Sequence, residues 1–329
     1  FKFQNFNKIV FIEILSFSSW NVLGSFSMVT RVQGVNILLN IFFGPIVNAS
    51  YVISVQVNSA ISTFTNNFYT AVRPQIIKNF KNNFQNTLKL AYKSAKYSFY
   101  LIFLLSLPVI LETEYILSLW LDKVPSKAII FSKLIIINSI LEVINYPLVT
   151  MIQATGDIKK YQLTVSLILL MNLPISLLFL ELGYNPEVTF IIMILLTIIS
   201  FIPRLIITNR IAKMPIKEFL VKVLKPVFLV AAFSIVIPLL LRLNLTHGFN
   251  RFIIVALSSV SITLIIIYCF GIGKKDKNFI KKNLNKIRMN LKNKIKNRIR
   301  ITYLQLKGFP QIIKPKLNGT LKLFHFSAF

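Results

Sequence analysis

The strongest constraint on this chain is a series of apolar runs about as long as a bilayer is thick. A helix needs roughly 20 mostly apolar residues to cross about 30 Å of hydrocarbon. Six segments read clearly as such spans: 97–111, 129–152, 163–182, 188–208, 221–241 and 252–271. Two earlier segments, about 13–43 and 46–77, are long but more polar, and they contain Arg31 and Arg73. The turn signal Gly44-Pro45 separates them. The runs are too long for barrel strands of about 10 residues and lack their alternation. The expected fold class is therefore an all-α integral membrane protein, a bundle of about eight transmembrane helices. The expected organisation is a lead-in over 1–12, the bundle over 13–273 and a basic tail over 274–329.

Composition points the same way. Of 329 residues, 55% are hydrophobic and 15% are charged, and the mean hydropathy is +0.67. A soluble domain has about 45–50% apolar and about 25% charged residues. Such hydrophobicity excludes disorder, and a single cysteine, Cys269, excludes a disulfide scaffold. Pro108, Pro147, Pro174, Pro203 and Pro238 lie in or near the clear spans. Two readings of them stay open: functional kinks, or prolines that a membrane helix tolerates because its neighbours satisfy the freed carbonyls.

The chain carries 38 Lys+Arg against 10 Asp+Glu, a formal net charge of +28. Eight spans would assign the loops to alternating sides. One side then holds Lys2 and Lys8, the Lys78–Lys96 group, Lys159 and Lys160, the Arg210–Lys225 group and the tail. The other holds Lys123, Lys127, Arg242 and Arg251. The split is 30 to 4, and 14 to 4 without the tail. Arg31, Arg73, Lys133 and Arg204 fall within spans. Glu112, Glu114, Asp122, Glu181 and Glu187 lie on the poor side. Basic loops mark the cytoplasmic face, so both ends of the chain are expected in the cytoplasm and the protein in a bacterial inner membrane, multi-pass. Most of the charge orients the chain against an anionic leaflet, and no nucleic-acid partner is expected.

In the tail, Ile280, Leu284, Ile287, Leu291, Ile295 and Ile299 share one helical face, and Lys and Arg fill much of the rest. That pattern suits an amphipathic helix lying on anionic membrane lipid. A basic extension biased in composition gives the same residues, so both readings stand.

The second segment carries a polar stripe. At about 100° per residue, Gln56, Ser59, Thr63, Asn66, Asn67, Thr70 and Arg73 fall within an arc of about 120°. Val57, Ile61, Phe64 and Phe68 take the opposite face. Polar side chains are costly in lipid, and they face a cavity or another helix. Interhelical hydrogen bonding accounts for two or three of them; a full stripe ending in Arg fits a water-filled cavity better. In the first segment Gln33, Asn36 and Asn40 share a face, with Arg31 nearly opposite. Arg31 needs an anionic partner, either Glu13 or Glu142 or a substrate phosphate that Arg recognises through its bidentate fork. Arg73 is either part of the same surface or an anchor snorkelling to headgroups. Glu142, near the middle of its span, is the candidate for coupling to a cation, or else it pairs with an Arg.

Enzyme chemistry is not expected. His247 and His325 have no metal-ligand spacing around them, and no phosphate-binding loop or nucleophile elbow occurs. No catalytic residue, metal or cofactor is expected, and the outer loops are short.

Three stretches carry a family resemblance: 33–49 (QGVNILLNIFFGPIVNA); Gln56-Val57-Asn58-Ser59-Ala60 with Asn66-Asn67-Phe68 and Ala71-Val72-Arg73-Pro74-Gln75-Ile76; and 153–162 (QATGDIKKYQ). They resemble the bacterial polysaccharide (O-antigen type) oligosaccharide flippases. That family is related to lipid II flippases and multidrug-and-toxin extruders. The resemblance spreads over about 13–162. It implies helices 7–14 of a two-bundle transporter, and a chain beginning at Phe1 would then be its C-terminal portion. It also implies movement of undecaprenyl-pyrophosphate-linked oligosaccharide from the cytoplasmic to the periplasmic leaflet by alternating access, for polysaccharide biosynthesis, in company with glycan-assembly proteins. Arg31 and Arg73 would then meet the pyrophosphate, and Gln33, Asn36, Asn40, Gln56, Ser59, Asn66 and Asn67 the sugar hydroxyls. Alternatives are a cation-coupled drug or metabolite extruder of the same superfamily, or a non-functional truncated remnant.

Overall fold

A computed structural model describes residues 7–273, together with 276–278, 281, 282 and 289. Every regular element among the described residues is helical. In order they are α1 (Lys8–Asn82), α2 (Phe84–Leu111), α3 (Thr113–Trp120), α4 (Ala128–Val143), α5 (Tyr146–Thr155), α6 (Lys159–Leu170), α7 (Asn172–Glu181), α8 (Val188–Ala212), α9 (Ile216–Phe219), α10 (Lys225–Asn244) and α11 (Phe249–Ile266), with π-helical turns at Leu220–Leu224 between α9 and α10 and at Ile267–Gly271 after α11. Six helical stretches are long and apolar enough to cross a membrane, and a seventh forms if α4 and α5, bent by 41° at their junction, count as one. The chain is thus an all-α protein of the multi-pass membrane type. With no strand to pair them, the backbone groups of these apolar stretches are satisfied within their own helices, as hydrocarbon requires.

The ends follow local chemistry. Asn7 Oδ1 accepts from the amides of Ile9 and Val10 at 3.0 and 3.4 Å, capping α1. Asn83 breaks the chain between α1 and α2, and its Oδ1 accepts from the Asn86 amide at 3.0 Å. The 75-residue α1 is not continuous: Gly44 has φ 76° and ψ −175°. That region is essentially confined to glycine, and Pro45 follows it, so the helix divides there into two arms.

α1 packs against α2, α4, α5, α6 and α7. α8 packs against α4, α5, α6 and α7, and α10 pairs with α11, both against α2. One apolar cluster joins Val35, Leu39 and Tyr51 of both α1 arms to Phe131 and Ile135 of α4 and to Phe190 and Met193 of α8. The Phe131 and Phe190 rings lie 4.6 Å apart. A second cluster joins Ile152, Ile158, Tyr161, Val165 and Leu169, with Trp20 and Ile207 packed on it. Beside these clusters, small polar side chains also meet between helices, as is common within membranes. Ser132 donates to Ser54 at 3.1 Å, and Ser54 lies 3.1 Å from the Ala128 carbonyl. The outer surface is heavily apolar; Ile37, Phe64, Leu195, Ile202, Phe228 and Leu257 are all exposed.

The Lys159 ammonium sits 5.5 Å from the Trp20 ring centre, and the Lys222 ammonium 5.8 Å from that of Tyr92. Lys127 pairs with Glu187 at 2.6 Å and Arg251 with Glu112 at 2.9 Å.

Residues 7–271 belong to one compact unit. Helix α1 begins at Lys8, inside the expected lead-in. The amphipathic reading of 279–299 falls on residues that, apart from 281, 282 and 289, lie outside those described.

Candidate functional site

The interior of the bundle holds a polar network centred on Arg31. Its side chain is buried, 2% exposed. Arg31 Nη2 donates to Thr197 Oγ1 at 2.9 Å, to Asn138 Oδ1 at 3.2 Å and to the Met193 carbonyl at 3.2 Å. Nη1 lies 3.6 Å from Glu142 Oε1. Thr197 Oγ1 is also within 2.8 Å of Asn138 Oδ1 and 2.9 Å of the Met193 carbonyl. Helical spacing builds the site. Asn138 and Glu142 are one turn apart on α4, and Met193 and Thr197 are one turn apart on α8, so each pair projects to one side. Of the two acids weighed for Arg31, Glu142 is the one in reach; Glu13 is exposed.

Glu142 sits just before the α4–α5 bend, where Pro147 follows. Its carboxylate, unlike the Arg31 guanidinium, reaches a cavity of about 260 Å³. Tyr69, Arg73, Glu142, Gln153, Gln162 and Arg204 are among the residues that line it. Arg73 Nη2 donates to Gln153 Oε1 at 3.0 Å. Gln153 Nε2 donates in turn to Asn21 Oδ1 at 3.3 Å, tying both arms of α1 to α5. Tyr69 donates to the Tyr146 carbonyl at 2.7 Å and is also hydrogen-bonded to Thr150. Gly24 permits the approach of α6: a Cβ there would stand 2.4 Å from Gln162 Oε1.

The remaining residues singled out in the sequence lie elsewhere. Gln33, Asn40, Gln56, Ser59, Asn66 and Asn67 are exposed, and Asn36 is half-buried with its Oδ1 buried and unpartnered. Thr63 and Thr70 are exposed too, so the α1 stripe from Gln56 to Thr70 faces out of the chain, while Arg73, also exposed, reaches the cavity and Gln153. The structure therefore brings together Arg31 with Glu142, and Glu142 with Arg73 around the cavity. It leaves Gln33, Asn40, Gln56, Ser59, Asn66 and Asn67 exposed and outside the cavity lining, and Asn36 half-buried outside it.

Searches against protein-family models, curated proteins and solved structures returned no match. The site thus rests on its own geometry.

The sequence did not single out Asn138, Thr197 or the burial of Arg204, and it offered Gln153 only within the 153–162 stretch. A signal existed on α8. Thr197, Ser200, Arg204 and Thr208 recur at helical spacing and are all buried, at 4% exposure or less. The surrounding run of Ile and Leu conceals that stripe from any averaged measure of hydropathy.

Proposed function

We propose that the chain is part of a flippase for undecaprenyl-pyrophosphate-linked oligosaccharide, lying in a bacterial inner membrane with both ends in the cytoplasm. The observation that carries this reading is the exposed polar stripe from Gln56 to Arg73 on the second arm of α1. Seven polar side chains on one face of a membrane-crossing helix are too costly to set against lipid. Water, sugar or a second helix bundle must cover them, and hydroxyl-rich cargo suits Asn and Gln. The break at Gly44 supports counting α1 as two crossings, giving eight with the α4–α5 pair. The charge asymmetry of the loops supports the orientation.

Reconstitution tests it. The full chain goes into proteoliposomes holding a fluorescent undecaprenyl-pyrophosphate oligosaccharide, and the fraction reached by an external quencher is followed in time. Faster exchange than in empty liposomes, lost in Asn66→Leu, is the expected result. An unchanged rate counts against transport of this cargo.

A cation-coupled extruder is the second reading, and Glu142 is its candidate coupling group. The 3.6 Å pairing with Arg31 weighs against it, because the guanidinium already supplies the positive charge that a coupling cation would bring.

A further inference from the structure

An open apolar groove runs between the start of α1 and the turn from α5 to α6. Ile12, Ile14 and Phe17 are exposed on α1. With Trp20 and residues 155–159 they line a groove of about 740 Å³. Two carboxylates, Glu13 and Asp157, stand in the lining, and the Lys159 ammonium there lies 5.5 Å from the Trp20 ring centre. Among the described residues neither carboxylate is in an ion pair. α5 closes at Gly156, φ 84°, and α6 opens at Lys159. The turn thus sets the negative end of one helix dipole beside the positive end of the next.

Helix length places the groove. The first arm of α1, from Lys8 to the Gly44 break, is about 54 Å long at about 1.5 Å per residue. Hydrocarbon about 30 Å thick takes little more than half of it. With the Gly44 turn at one boundary, the stretch from Ile12 to Trp20 lies in the headgroup layer of the other. Trp20 then sits where tryptophan anchors collect.

A groove in that layer meets lipid, and its charges select among headgroups. Two carboxylates repel an anionic lipid. They accept hydrogen bonds from a primary ammonium, which has three N–H donors; a quaternary ammonium has none. Lys159 supplies the opposite charge for a phosphodiester. Ile12, Ile14 and Phe17 cover the glycerol and the first methylenes of the chains. We propose that the groove seats a zwitterionic aminophospholipid, one whose headgroup pairs a primary ammonium with a phosphodiester, as in phosphatidylethanolamine. The site uses neither the interior cavity nor the outward stripe of α1, and it holds on either membrane face and whatever the chain moves.

The test reads binding, with the full chain in bilayers. Trp120→Phe leaves Trp20 as the one tryptophan. Phosphatidylethanolamine, phosphatidylcholine and phosphatidylglycerol, each brominated on acyl carbons near the glycerol, are added in turn, and bromine quenches an indole that it touches. Phosphatidylethanolamine should quench Trp20 at about 3- to 10-fold lower mole fraction than the other two, the scale of a charge-assisted hydrogen bond at a solvated site. Glu13→Gln with Asp157→Asn should abolish that preference. Glu181→Gln, an exposed acid outside the groove, should leave it intact. Should the double variant fail to fold, Glu13→Gln alone should reduce the preference. Three results overturn the site: equal quenching by the three lipids, stronger quenching by phosphatidylcholine or phosphatidylglycerol, or a full preference retained in the double variant or, where that does not fold, in Glu13→Gln.

Discussion

Arg251 Nη2 donates to Glu112 Oε2 at 2.9 Å, with the two side chains 5% and 1% exposed. The pair clamps the start of α11 to the end of α2. Breaking a buried pair by removing one partner costs about 3–5 kcal/mol, because the other charge is stranded. Lys133 is near enough to interact with Glu112, so the two single changes are unequal. Glu112→Gln removes the carboxylate that Arg251 pairs with and should destabilise more than Arg251→Met, which leaves Glu112 near Lys133. The double variant should recover much of the loss. Thermal melting in detergent of the four proteins reads this directly, and equal costs for the two singles would refute the asymmetry.

The Arg31 network should behave differently. Arg31 has three hydrogen-bond acceptors besides Glu142. Arg31→Met should therefore cost about 3–5 kcal/mol, whereas Glu142→Gln keeps the hydrogen bonds and should cost less. A melting series that ranks Glu142→Gln as the more damaging change would mean that the ion pair, not the hydrogen bonds, holds α1 to α4 and α8.

How far this was legible in sequence depended on the kind of signal. The helical class and the positions of the crossings follow from run length, a property each segment carries by itself. The Gly44-Pro45 turn was readable because glycine and proline act on local backbone. The polar stripe of α1 was visible because helical periodicity is local too. The burial of Arg204 and the junction of Arg31 with Asn138, Glu142 and Thr197 were not, since they depend on which faces of α1, α4 and α8 meet. Serine and threonine also bond back to their own helix, as Thr197 does to Met193, so a lone hydroxyl in an apolar run announces nothing.

The bend in α1 gives a backbone prediction. A Cβ at Gly44 would meet nothing within 4 Å, yet φ 76° and ψ −175° lie where other residues are strained. Gly44→Ala should therefore destabilise by about 1–3 kcal/mol through conformation alone. A control with open space and ordinary backbone is Gly273→Ala, which should be nearly neutral. Matching melting midpoints for the two variants would show that the break is set by Pro45 and packing.

The outward stripe of α1 makes the sharpest distinction between a wet face and a lipid face. Ser59, Asn66 and Phe64 are all exposed on the same arm, but they differ in the medium they should meet. With Cys269 replaced by serine, single cysteines at Ser59, Asn66 and Phe64 can be compared in native membranes with a charged maleimide that does not enter hydrocarbon. A thiol reacts as its thiolate, and ionisation needs water, so cysteines at 59 and 66 should label at least about 10-fold faster than one at 64, a difference of about 1.4 kcal/mol in local accessibility. If another helix instead covers the stripe, all three should label slowly, and added detergent that separates the partners should expose 59 and 66 first. Equal, rapid labelling at all three would place the whole arm outside the membrane and remove the basis for a translocation surface there.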